Sequence, residues 1–133
     1  MKKIDIACII DDDPIYTYLT QEILELADFC NSFLVYHNGK EALDKLQAVI
    51  LSGENIPEVI LLDLNMPVMD GWEFLDEFIK VPAPQKICIY IVTSSINPED
   101  INKAKQYETV SDYVVKPITV EFLKDLLHNF KYQ

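Results

Sequence analysis

Five short runs of apolar, mostly β-branched or aromatic residues punctuate the chain: Ile4–Ile10, Ser32–Tyr36, Glu58–Leu62, Lys86–Val92 and Asp112–Val115. Within them apolar residues follow one another instead of alternating with polar ones, the pattern of strands buried on both faces of a parallel sheet. The stretches between the runs carry helical periodicity and start signals. Asp13-Pro14 supplies an N-cap and a first-turn proline, and Ile15, Tyr18, Leu19, Ile23 and Leu26 predict the apolar stripe of the first helix. Asn38-Gly39-Lys40-Glu41 reads as a capping box ahead of Ala42, Leu43, Leu46, Val49 and Ile50. Asp70-Gly71-Trp72-Glu73 opens a helix with Phe74, Leu75, Phe78 and Ile79, and Asn97-Pro98-Glu99-Asp100 opens a more polar one over Asn97–Tyr107. Thr119 can cap the last helix, in which Phe122, Leu123, Leu126, Leu127 and Phe130 are expected to face inward. Strand and helix thus alternate five times, and short connections with right-handed crossovers predict a doubly wound α/β fold with helices on both faces of a parallel sheet.

Composition narrows what such a fold could do. With 133 residues, half of them hydrophobic, the chain has the size and core of one ordinary domain, and it shows no internal repeat and no Gly/Ser-rich linker. A net charge of −11 argues against nucleic acid and anionic membrane as partners, since phosphate backbones are bound by clustered Lys and Arg. No apolar run is long enough to cross a bilayer. Met1-Lys2-Lys3-Ile4-Asp5-Ile6 puts an acid where a signal peptide needs an apolar stretch, so a cytoplasmic location is expected. Cys8, Cys30 and Cys88 form no CxxC pair and read as reduced thiols, Cys8 and Cys88 within apolar runs.

In a parallel sheet the carboxyl ends of the strands share one edge, where ligands bind. The residues just past the apolar runs are Asp11-Asp12-Asp13, His37-Asn38-Gly39, Asp63, Thr93-Ser94-Ser95 and Lys116-Pro117. Carboxylates gathered there need a cation or protons to be tolerated. An all-oxygen donor set suits a hard ion such as Mg²⁺, which completes its shell with water and phosphate oxygens. A carboxylate beside that ion can act as nucleophile towards a phosphoryl group, with a hydroxyl and an ammonium to hold the transferred oxygens. Asp13, followed by proline, reads better as a helix cap than as a ligand.

These motifs resemble the receiver domain of two-component response regulators: Ile9-Ile10-Asp11-Asp12-Asp13-Pro14, Leu61-Leu62-Asp63-Leu64-Asn65-Met66-Pro67-Val68-Met69-Asp70-Gly71, Ile91-Val92-Thr93-Ser94 and Asp112-Tyr113-Val114-Val115-Lys116-Pro117. The resemblance covers essentially the whole chain and implies one receiver domain over residues 1–133 without an output domain. It implies a flavodoxin-like sheet of strand order 2-1-3-4-5. Asp63 would be the phosphoacceptor, Asp12 a direct Mg²⁺ ligand and Asp11 one acting through water, with the backbone carbonyl of Asn65 completing the protein's share. Thr93 would bond the phosphoryl group and move on activation, Lys116 would pair with a phosphoryl oxygen, and Tyr113 would be the aromatic switch behind Thr93. The Lys116-Pro117 peptide is expected to be cis.

The implied partners are a histidine kinase or histidine phosphotransfer protein and an unidentified downstream protein, acting on a monomer or a weak, phosphorylation-dependent homodimer. His37, His128 and Trp72 read as surface and packing residues. Ser95 and Asn65, neither of them acidic, leave the phosphate lifetime open. The main rival is an aspartyl-phosphate phosphohydrolase of the haloacid dehalogenase type, but Asn65 stands where that enzyme needs a proton-donating acid. A docking module that is never phosphorylated and a flavin-binding protein are weaker rivals, the latter because Asp11-Asp12-Asp13 would repel a phosphate without a cation.

Overall fold

β-Branched side chains are stiff at χ1 and favour extended backbone, and the apolar runs adopt it. A computed structural model, which describes residues 3–130, forms them into β1 (Ile4–Ile10), β2 (Cys30–Tyr36), β3 (Val59–Leu62), β4 (Cys88–Thr93) and β5 (Val110–Val115). All neighbours are parallel, in the order β2-β1-β3-β4-β5. The expectation of burial on both faces holds for β1, β3 and β4, apart from Asp5, but β2 and β5 form the sheet's edges and are half exposed. Edge position also explains why both begin two residues earlier than their apolar runs: pairing with Ile4 and Ile89 draws Cys30 and Val110 into the ladder, and the polar residues that follow can face water.

The helices are α1 (Pro14–Leu26), α2 (Gly39–Ser52), α3 (Gly71–Phe78), α4 (Pro98–Ala104) and α5 (Val120–Phe130). α2 and α3 cover one face, packing Ala42, Leu46, Phe74 and Leu75 on Ile10, Ile60, Leu62 and Ile91. α1 and α5 cover the other, packing Leu24, Leu123 and Leu126 on Ala7, Ile9, Leu61 and Val92. Among the described residues no helix is long and apolar enough to cross a membrane. Cys8 and Cys88 are buried, Cys30 is half-buried, and none of the three is in a disulfide.

The face of α1 differs from the expected one. Thr17, Thr20 and Leu24 are buried, with Tyr16 and Ile23 half-buried, whereas Ile15 is 73% exposed, Tyr18 60% and Leu26 75%. The helix starts where Asp13 caps it, accepting the N–H groups of Ile15 and Tyr16, and that start sets its phase. Thr17 turns inward at little cost because its hydroxyl donates to the Asp13 carbonyl at 2.8 Å. The capping box expected at α2 is half formed: Asn38 accepts the Glu41 N–H at 2.8 Å, but the Glu41 carboxylate takes the His37 N–H instead. The full box stands at α3, where Asp70 and Glu73 cap each other's backbone N–H. Ile79, read from the sequence as part of this helix, lies just past the end of α3 and is half exposed. In α5, capped by Thr119 as expected, Leu123, Leu126 and Leu127 are buried and Phe122 meets Tyr90 edge-on, while the Phe130 side chain lies outside the described residues.

Candidate functional site

The sheet places its chemistry by running its ladder one residue past the strand ends. The Asp11 N–H donates to the Tyr36 carbonyl at 3.1 Å, that of Asp63 to the Ile10 carbonyl at 2.9 Å and that of Lys116 to the Thr93 carbonyl at 2.9 Å. Three site residues therefore have backbones fixed by the same hydrogen bonds that hold the core. Carboxylate oxygens of Asp11, Asp12 and Asp63 lie within 4.8 Å of one another. Asp11 and Asp63 are buried, and Asp12 faces solvent. The Lys116 ammonium bridges the two buried acids, 2.8 Å from Asp11 Oδ2 and 3.5 Å from Asp63 Oδ2. Asp63 Oδ1 accepts the Leu64 N–H at 2.8 Å, and the buried Thr93 hydroxyl hydrogen-bonds to the Asp63 carboxylate.

Burial pushes the Asp63 carboxyl above the usual range, and the Asp11 charge adds to the rise; Lys116, Thr93 and the Leu64 N–H oppose it without cancelling it. For Lys116 burial works to lower the pKa, but the Asp11 hydrogen bond and the charges of Asp63 and Asp11 prevail and raise it, so the lysine stays charged. Three carboxylates against one ammonium leave a deficit of two positive charges, 3 − 1 = 2. A hard divalent cation on oxygen donors matches that deficit.

Each sequence-predicted residue can be placed. Asp11, Asp12, Asp63, Thr93 and Lys116 converge at the carboxyl edge of the sheet, Asn65 is exposed in the loop that follows Asp63, and Lys116-Pro117 is cis. Asp13 is the cap of α1, as expected. Tyr113 is half-buried, and its hydroxyl donates to the Ser95 carbonyl at 2.9 Å.

Other participants escaped the sequence reading. Tyr16 puts its ring under Lys116, 4.0 Å from the ammonium. Asp100 of α4 accepts the Ser95 hydroxyl at 2.6 Å and the Trp72 indole N–H at 3.4 Å, and Trp72 also stacks on Tyr107, with Lys103 over its ring. The signal that would have found Tyr16 is Thr17 and Thr20: small polar residues at helical spacing mark the close-packed side of α1.

Gly71 sets the distance between α3 and the site. A Cβ there would stand 2.5 Å from the Asp63 carbonyl oxygen and 2.8 Å from Leu64 Cα, both backbone atoms that cannot swing away. Gly71→Ala is therefore expected to lose about 1–3 kcal/mol of stability, the usual cost of overpacking. Urea denaturation checks it, and an unchanged midpoint would show that the Asp63 loop yields freely.

The profile of one protein family, the response regulator receiver domain, matches residues 7–128. The chain is 28% identical over 126 residues to the probable methanogenesis regulatory protein FilR2 of Methanothrix harundinacea, covering 95% of this chain and 81% of that protein. A two component response regulator from Cytophaga hutchinsonii has the same fold at a TM-score of 0.90 and 30% identity, over 99% of this chain and 100% of that one. The phosphorylated cyanobacterial phytochrome response regulator RcpA follows at a TM-score of 0.75 and 26% identity, over 96% and 91% of the two chains. The chain spans 10%, 21% and 22% of three other relatives.

Proposed function

This chain belongs to the response regulator receiver domain family, which acts in two-component signalling, and we propose that it receives a phosphoryl group on Asp63 and passes the signal to a protein partner. The observation that carries the proposal is the bridging of two buried, mutually repelling carboxylates by one lysine, beside a buried threonine hydroxyl at the ligand-binding edge of the sheet.

The donor is a phosphohistidine of a kinase or phosphotransfer protein. Its N–P bond breaks as an O–P bond to Asp63 forms, and the imidazole leaves with the electron pair of the broken bond. Asp11, Asp12, Asp63 and the Asn65 carbonyl would hold Mg²⁺, which supplies charge neutralisation for the phosphoryl oxygens. Lys116 faces Asp63 Oδ2 and offers its ammonium to a second phosphoryl oxygen, while Leu64 N–H keeps the carboxylate from rotating. Thr93 turns its hydroxyl from the carboxylate to the phosphoryl group. That turn disturbs the Ser95 N–H bonded to the Thr93 oxygen at 3.4 Å and, through the Ser95 carbonyl, Tyr113. α4, with Ala104 as its one buried residue, is the element that gives way. Nothing at the site favours a phosphohydrolase, since Asn65 offers no acid to protonate a leaving group.

Incubation with phosphoramidate and Mg²⁺, followed by peptide mapping, tests the reading. One phosphoryl group per chain on Asp63, prevented by chelator, is expected. Incorporation that ignores the chelator or maps elsewhere overturns it.

A further inference from the structure

We propose that Tyr16 is a positioning residue for Lys116: its ring seats the lysine ammonium beside the acids, and its hydroxyl holds the loop that carries the lysine. The inference rests on the phosphoacceptor reading of Asp63.

Tyr16 is itself fixed from the helix side. It lies in the first turn of α1, and its N–H donates to the Asp13 carboxylate at 3.3 Å. Its ring centroid is 4.0 Å from Lys116 Nζ, within the range of a cation–π contact. Its hydroxyl accepts the Ile118 N–H at 3.0 Å, across 102 residues of sequence. Ile118 is 2% exposed, so water does not offer that N–H an alternative partner. One side chain thus grips the segment from Lys116 to Ile118 at both ends.

The need for such a grip follows from the charges. Lysine carries its ammonium on a flexible four-carbon stem. Asp11 orients it, at 2.8 Å. A divalent cation held by Asp11 would weaken that bond, and phosphorylation of Asp63 to the acyl phosphate would alter its charge. The negative face of the Tyr16 ring changes with neither event. Of the three contacts of the Lys116 ammonium described above, the ring alone stays constant through the cycle, and it keeps the ammonium near Asp63 when the carboxylates are otherwise engaged. A residue that merely filled space between α1 and the β5–α5 loop would be replaceable by any side chain of similar bulk.

Two variants separate the ring from the hydroxyl. Tyr16→Phe keeps the ring and strips the Ile118 N–H of its acceptor; Tyr16→Leu removes both. The first readout is the NMR shift of the Lys116 ε-methylene protons in the Mg²⁺-loaded protein, which a ring at this distance moves upfield. The upfield shift should persist in Tyr16→Phe and vanish in Tyr16→Leu. The second readout is the initial rate of labelling by phosphoramidate at saturating Mg²⁺. It should fall about five- to tenfold in Tyr16→Leu, the range of a partly desolvated cation–π contact, and by less in Tyr16→Phe, which keeps the ring but loses its hold on Ile118 and melts lower. Mg²⁺ affinity should be the same in all three proteins. A Tyr16→Leu protein that labels at the wild-type rate, or keeps the Lys116 shift, overturns the proposal, as does a loss of Mg²⁺ binding in step with the rate. Wild-type protein that shows the shift but takes no label would refute the role of Asp63 and leave the seat of Lys116 established.

Discussion

Asp63→Asn is expected to abolish Mg²⁺-dependent labelling and, in the same protein, to raise the melting temperature measured in chelator. The first effect follows from chemistry: the amide that replaces the carboxylate is a poor nucleophile, and no other acid stands in its place relative to Asp11, Thr93 and Lys116. The second follows from electrostatics. Burial first, and then the Asp11 charge, hold the Asp63 carboxyl above its ordinary pKa, so ionisation is less favourable in the folded chain than in the unfolded one. A group raised in this way contributes stability below the ordinary carboxylate value and loses that contribution as pH rises through the folded value. At neutral pH the ionised Asp63 is thus a liability that asparagine removes, and its amide oxygen can still accept the Leu64 N–H. A gain of ~1 kcal/mol, or about 3–6 °C for a domain of this size, is the expected order. The advantage over wild type should be greatest at neutral pH and shrink as the pH is lowered towards the carboxylate range, where wild type takes up the proton. A variant that melts at or below wild type in chelator at neutral pH would show that Asp63 is a structural acid.

Lys116→Met should move stability the other way and further. Lys116 is the cation that bridges both buried acids, and its own side chain is 14% exposed. Removing one partner of a buried ion pair leaves the others uncompensated, which costs about 3–5 kcal/mol. The loss should be seen in chelator. Millimolar Mg²⁺ should recover much of it, because an ion that binds only the folded state stabilises by mass action and takes over part of the neutralisation. The Mg²⁺-induced rise in melting temperature should therefore be larger in Lys116→Met than in wild type. Equal rises in the two proteins would mean that lysine and metal ion do not share the acids.

The fold was legible because its strongest signal is periodicity. β1, β3 and β4 are crowded with β-branched side chains, and the right-handed crossover rule leaves few ways to order strands joined by helices. The site was legible for a related reason. Strand ends define one edge, so Asp11, Asp63, Thr93 and Lys116 could be gathered without knowing any distance. What could not be read lies where two patterns compete. α1 offers an apolar face (Ile15, Tyr18, Leu19) and a mixed one (Tyr16, Thr17, Thr20, Leu24), and hydrophobicity alone selects the wrong one. Asn38 and Glu41 have capping-box spacing, but the Glu41 carboxylate takes a different N–H. The contacts of Tyr16 with Lys116 and Ile118, and of Trp72 with Asp100, join segments remote in sequence, and only tertiary packing brings them together.

Trp72 is the one tryptophan of the chain, and it sits at the joint between α3 and the short α4. Its indole touches a carboxylate, an ammonium and a phenol, all three on or just beyond α4. Charged groups so close to an indole shift its emission wavelength and quench its intensity. The protein therefore carries an intrinsic optical gauge at the element proposed to give way on phosphorylation. Displacement of α4 by even a side-chain's width changes all three neighbours at once. Phosphorylation at the proposed acceptor Asp63 would then be followed in real time, in unlabelled protein, from the far side of the helix that reports it.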